Sequence, residues 1–294
     1  MPSRPPPETR GLGREHSAYP EGFRDLDDGP AVAFVCGSDP PRRARAVAVV
    51  GARAASPYGL AMAERLAADL ARLGIVVVSG LARGIDAAAH RGALEAAGET
   101  VAVLPSGIDR VTPPYHAELA GRIVRQGALV SELAGGPPRF RGEFVRRNRL
   151  IAAMAAATVV VEASEQSGAL STASVARDLG RAVLAVPGDV DRVTARGCHR
   201  LLREGASVCE HAGDVLRAVA GWKATHDAEP DAAAAAGGPE ARLLGALADA
   251  PRSIEALADA AALEIPEAMA GLLALEWAGS ARALPGQRWI RTPS

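Results

Sequence analysis

Short apolar runs recur along the chain at Ala46–Val50, Ile75–Val78, Val101–Leu104, Ala128–Val130, Thr158–Val161 and Ala182–Val186. Most are rich in valine and do not alternate with polar residues, the pattern of strands covered on both faces. Helical spacing fills the intervals. The clearest case is Pro57–Leu73, where Met62, Leu66, Leu70 and Leu73 recur on one face. Ser56 is expected to cap that helix, Pro57 suits its first position, and Gly74 marks its end. A second helix is expected over Ala87–Ala97 with Asp86 as its cap. Strand–helix–strand repetition implies right-handed crossovers and a parallel sheet with helices on both faces. The fold class read from this pattern is α/β, an extended Rossmann-like sheet over residues 32–220.

The pattern changes after that. Residues 221–239 carry no hydrophobic period and read as a linker. Residues 240–294 hold three short helical patterns, Glu240–Ala250, Ser253–Ala261 and Ile265–Trp277. Two short strands follow within Ala281–Arg291, around Pro285–Gly286. Three helices and a hairpin favour a small winged-helix domain over a plain helical bundle. Residues 1–31, rich in Pro, Arg and Gly, read as a leader, partly disordered.

Composition narrows the class. The chain has 294 residues, of which 48% are hydrophobic and only 3% aromatic, so the core must be aliphatic and rich in alanine. A net charge of −1 means that any polyanion site is local. Lys223 is the sole lysine, so arginine carries nearly all the positive charge. Cys36, Cys198 and Cys209 form no CxxC, which fits a reducing cytosol. The N-terminus has no apolar signal segment. The longest apolar stretch, Leu150–Val161, is too short to span a bilayer. A soluble cytoplasmic protein with no membrane partner is expected.

In open parallel sheets, ligands bind beyond the carboxyl ends of the strands. There the chain places Gly51, Ala52 and Arg53, then Ser79 through Asp86, then Pro105, Ser106 and Gly107, then Glu162 through Gly168, then Pro187 and Gly188. Glycines can simply make tight turns. Repeated at strand after strand, they point to a ligand bearing phosphate, approached by backbone N–H groups and helix N-termini. The loop GARAASPYG is not the GxGxxG of a dinucleotide site, and no Walker lysine exists. Arg53 offers a charged hydrogen bond instead. The stretch FVRRNRLIAA lies after the fourth run, and five arginines fall between Arg139 and Arg149 against one acid, Glu143. Phe140 and Phe144 stand among them. Cations beside an aromatic platform suit an unpaired polynucleotide.

These residues resemble a family. GARAASPYG, SGLARGIDAAAH, AVLPSGID, FVRRNRLIAAM, VEASEQSGALSTA and AVPGD match, in order, the motifs of DNA-processing protein A, also called DprA or Smf. HSAYPEGFRDLDDGP and GCHRLLREGA extend the match to about residues 17–220, and the tail resembles the winged-helix domain that ends many members. The resemblance implies a Rossmann fold that binds single-stranded DNA, forms a homodimer and loads the RecA recombinase during natural transformation. Carried over by position, the DNA-contacting set is Gly51, Arg53, Ser79, Gly80, Gly107, Phe144, Arg147, Asn148 and Arg149, with Gly168. Val145, Thr112 and His199 stand where the family usually has proline, tyrosine and asparagine. None of these departures removes a cationic or glycine position.

The competing class is a Rossmann-like nucleotide or nucleoside-phosphate hydrolase. Asp86, His90 and Glu162 are its candidate acid–base groups, yet no nucleophile–base pair or metal constellation emerges. Non-enzymatic binding is therefore expected, without metal or cofactor. Duplex reading by the winged helix is disfavoured as well. Its recognition helix carries Glu264, Glu267 and Glu276 and no Lys or Arg, so protein contact is the expected use.

Overall fold

All six expected strands form, and three that the pattern did not announce join them in one sheet. The computed structural model describes residues 9–138, 140, 142–219, 238–247, 251–284 and 288–292. The chain divides into two units, residues 1–222 and 223–294.

The first unit runs β1 (Thr9–Gly13), β2 (Val32–Gly37), β3 (Ala46–Val50), α1 (Pro57–Arg72), β4 (Val76–Ser79), α2 (Ile85–Glu95), β5 (Thr100–Val103), α3 (Ala117–Gln126) and β6 (Ala128–Ser131). It continues through α4 (Glu143–Met154), β7 (Ala157–Val160), α5 (Ala169–Asp178), β8 (Ala182–Ala185), α6 (Arg196–Arg203), β9 (Ser207–Val208) and α7 (Ala212–Ala218). The strand order is β1-β2-β6-β5-β4-β3-β7-β8-β9. From β6 to β9 all neighbours are parallel, while β1–β2 and β2–β6 are antiparallel. The chain builds outward from β3 to β6, then α4 carries it back to β7 on the other side of β3. Sheet order reverses there, between the carboxyl ends of β3 and β7, which is where such sheets bind ligands.

The unalternating runs are explained by β3. Its side chains point to opposite faces in turn. Val47 and Val49 enter the core under α1, α2 and α7, while Ala46, Ala48 and Val50 enter the core under α4, α5 and α6. Both faces are dry, so both sets must be apolar. The Ser56 hydroxyl accepts from Gly59 N at 3.1 Å and caps α1 as expected. α2 corrects an expectation. Its N-cap is Gly84, with φ of 85°, and Asp86 lies within the first turn. A Cβ on Gly84 would lie 2.2 Å from the Ala52 carbonyl, so only glycine fits there.

The expected leader is a further correction. From Thr9 onward it is structured: β1 and β2 pair residue by residue from Thr9–Cys36 to Gly13–Val32. Tyr19, Phe23 and Leu26 are buried in the same core as Leu150–Met154 of α4. Gly22 meets α4 so closely that a Cβ would sit 1.7 Å from the Ala153 carbonyl. The first unit therefore extends well before residue 32. Residues 1–8 lie outside the described residues.

The second unit comprises α8 (Pro239–Ala246), β10 (Arg252–Ser253), α9 (Ile254–Ala261), α10 (Ile265–Trp277), β11 (Ala281–Leu284) and β12 (Arg288–Arg291). The strands pair antiparallel in the order β10-β12-β11, which is the winged-helix arrangement. Leu243, Leu257, Leu272 and Trp289 fill its core. The linker through residue 237, the end of the first predicted helix at 248–250 and the Pro285–Gly286 turn lie outside the described residues. No helix among the described residues is long and apolar enough to cross a membrane.

Candidate nucleic-acid interface

At the reversal point a crevice of about 410 Å³ opens above β3. The β3–α1 loop, the start of α4 and the start of α5 form its walls. Of the ten residues predicted for the site, Gly51, Arg53, Phe144, Arg147, Asn148 and Gly168 line it.

Arg53 is exposed at the mouth, with its guanidinium carbon 4.9 Å from the centre of the Phe144 ring. The stacked pair presents a cation and an aromatic face together, a geometry worth about 0.5–1 kcal/mol where exposed. Phe140, the other aromatic in the arginine segment, is exposed and does not line the crevice. Arg139 and Arg141 lie outside the described residues.

Arg147 forms the floor. It is 3% exposed. Its Nη1 donates to Gly80 O at 2.6 Å and to Val103 O, and its Nε donates to Asn148 Oδ1 at 3.3 Å. Burial lowers its pKa to about 10, against the opposing pull of Asp86. Burial likewise raises the Asp86 carboxyl, which Arg147 and the Ala82 amide work to hold down. Both directions agree: for each group desolvation outweighs the attraction of the other charge, which is not in direct contact. Asn148 ties the two helices by donating from Nδ2 to Gly168 O and to Ser171 Oγ, each at 3.0 Å.

Four predicted residues do not line the crevice. Ser79 is fully buried and donates to Val49 O at 2.7 Å, joining the ends of β3 and β4. Gly80 is glycine because the Arg147 guanidinium lies 2.6 Å from where its Cβ would be. Gly107 packs on Gly135 and donates its N–H to Gly136 O at 2.8 Å. Arg149 is turned away. It meets Asp28 at 2.7 Å and Glu132 at 2.9 Å. Burial works against its charge, but these two carboxylates prevail and raise its pKa. Arg146 is exposed, 3.5 Å from Glu132.

Of the candidate acid–base groups, Asp86 lines the crevice, whereas Glu162 and His90 are engaged by the fold. Glu162 accepts from Ser56 N at 2.8 Å and from Ser56 Oγ at 2.6 Å, so its carboxylate clamps the β3–α1 loop. His90 packs in the interior against Thr100 Oγ1 at 2.7 Å, and burial lowers its pKa to about 3. Among the described residues no group of three or more His, Cys, Asp or Glu could hold a metal ion. Ser164, Ser167, Thr172 and Thr194 also line the crevice with hydroxyl groups; the first two lie in the Glu162–Gly168 segment expected at the sheet edge, but none of the four is among the predicted contacts. Three of them fall in the segment after the fifth strand, where position alone could have found them. Thr194 arrives from the β8–α6 loop and carries no such signal.

Comparison with known proteins gives the family. A family model described as DNA recombination-mediator protein A matches residues 11–220, and one described as the DprA winged helix domain matches residues 227–287. The putative DNA processing protein DprA of Mycobacterium tuberculosis is 44% identical over 259 residues, covering 83% of this chain and 64% of that protein. The chain thus spans under two thirds of the length of this mycobacterial relative. Protein Smf of Escherichia coli K12 is 36% identical over 276 residues, 91% of this chain and 74% of that one. Among solved structures, DprA of Streptococcus pneumoniae superposes with a TM-score of 0.68 at 34% identity, covering 71% of this chain and 74% of that chain. DNA processing protein A of Helicobacter pylori gives 0.63 at 27% identity, covering 71% and 94%, and that structure concerns its single-stranded DNA binding mode.

Proposed function

This chain belongs to the DNA recombination-mediator protein A family, and on that premise we propose that it binds single-stranded DNA in the crevice above β3. The observation that carries this reading is Arg53 stacked on Phe144 at the mouth of a cavity with a buried guanidinium in its floor. Arg53 meets a phosphate, the Phe144 ring meets a base, and the amides at the start of α5 face the neighbouring phosphate. Asn148 and Arg147 hold the walls in register. Paired bases cannot splay onto the ring, so duplex is excluded.

In this reading the protein protects incoming strands in the cytoplasm and hands them to the RecA recombinase, acting as a homodimer whose two crevices share one strand. Binding without catalysis is supported by the carboxylate of Glu162, whose two oxygens both serve the Ser56 cap. A titration of single-stranded against duplex oligonucleotides at several salt concentrations tests the crevice. With three or four phosphates per protomer, the log–log slope is about −2 to −3, at roughly −0.7 per phosphate. An equal affinity for duplex, or a flat salt response, overturns it.

A further inference from the structure

A second hollow, of about 340 Å³, adjoins the first at the carboxyl edge of the sheet. Neighbouring residues of the same two loops line one and the other. Ser164 and Thr194 face the crevice, whereas Glu162 and Ala195 face the second hollow. Between them Ala163 N–H donates to Thr194 O at 2.7 Å and fastens the β7–α5 loop to the β8–α6 loop.

Tyr58 stands over this hollow from the first turn of α1, five residues beyond Arg53. Its hydroxyl donates to Pro187 O at 2.9 Å, which fixes the ring, yet the residue is 49% exposed. In a chain with 3% aromatics, a held and solvent-facing ring beside a cavity is a platform. Val161, Val186 and Pro187 supply apolar walls. The charges present disfavour a phosphate. Glu162 and Asp189 are acidic, and the guanidinium of Arg192 is engaged by Asp189 at 2.7 Å. A flat, uncharged ring suits such a hollow, and an anion does not.

We propose that the second hollow receives a base of the same single strand whose phosphates occupy the Arg53 crevice, stacked on Tyr58. The inference rests on the crevice reading and adds a second stacking position on the other side of the Ala163–Thr194 link. The strand then crosses that link with its backbone on the crevice side and one base turned over the edge.

The test uses the full-length protein and oligonucleotides of about eight nucleotides, within the 4–16 nucleotides usual for one single-strand site. 2-Aminopurine replaces one base at a time, and its fluorescence reports stacking. Two responsive positions are expected. Phe144→Leu removes one and Tyr58→Leu the other, with affinity falling roughly five- to tenfold for Tyr58→Leu, the low end of a lost base stack. Tyr58→Phe, which keeps the ring, rescues the signal. A single responsive position in the unaltered protein overturns the proposal, as does Tyr58→Leu without effect while Arg53→Ala still weakens binding. If Arg53→Ala is also without effect, the crevice reading falls with it.

Discussion

The crevice above β3 and the helix α10 occupy the positions at which their folds usually meet ligands and DNA, and their chemistry is opposite. The crevice gathers Arg53, Phe144 and Arg147 around a cavity. α10 shows solvent Glu264, Glu267 and the apolar side chains of Ile265, Leu273 and Trp277. A helix whose exposed charges are acidic repels a phosphate backbone. Architecture offers a place to bind, while side-chain charge decides what comes.

The largest test of that contrast removes the crevice floor. Arg147→Met leaves Asp86 buried without its cation and two carbonyls without a donor. Stability falls by about 2–4 kcal/mol in urea denaturation, chiefly from the two buried carbonyls left without a donor, and single-strand binding is lost. The sign with pH follows from Asp86, whose folded pKa is raised. Its proton stabilises the fold below the unfolded carboxylate pKa, and that contribution is lost as pH rises through the folded value. The deficit of Arg147→Met therefore shrinks as pH is lowered. A pH-independent deficit would deny that Asp86 is the partner left behind.

Arg53→Ala comes next. A charged hydrogen bond to phosphate contributes about 1.5–3 kcal/mol, so single-strand affinity drops tenfold to a hundredfold. The salt slope becomes shallower by about 0.7. The melting temperature falls by no more than about 2–4 °C, the loss of the exposed stack on Phe144. Phe144→Leu is milder and costs about 1 kcal/mol of binding with its salt slope intact, which separates stacking from charge. The smallest effect lies in the other region. Glu264→Lys with Glu267→Lys gives α10 a measurable affinity for duplex, with a slope of about −1 to −2 at roughly −0.9 per phosphate. Single-strand binding through the crevice is unchanged. Strong duplex binding by the unaltered α10 would break the comparison.

The parallel sheet was legible because its strands are dry on both faces, which leaves valine runs with no polar punctuation. Ser56 was legible as a cap because capping is local chemistry. β1 was not: TRGLG has one large apolar residue and two glycines, and its strand character comes from the pairing with β2. Arg147 and Arg149 could not be told apart either. Two positions apart on a helix they point about 200° from each other, one beneath the crevice and one outward. Which direction leads to the ligand depends on Asp28, which is 121 residues away in sequence. Gly80 and Gly107 looked like phosphate glycines, yet their missing side chains make room for Arg147 and Gly135. A glycine records close approach without recording by what.

Arg149 gripping Asp28, with Gly22 pressed on Ala153, makes residues 19–28 a buttress for the very helix that carries Phe144 and Arg147. Trimming the protein back to the regular strand–helix repeat, from residue 32 onward, would strip that buttress. The shortened form would bare the apolar flank of α4 and leave Arg149 facing Glu132 alone. A proteolytic nick anywhere along residues 14–31 would therefore be felt at the crevice wall, although it falls more than a hundred positions upstream of Phe144 and Arg147.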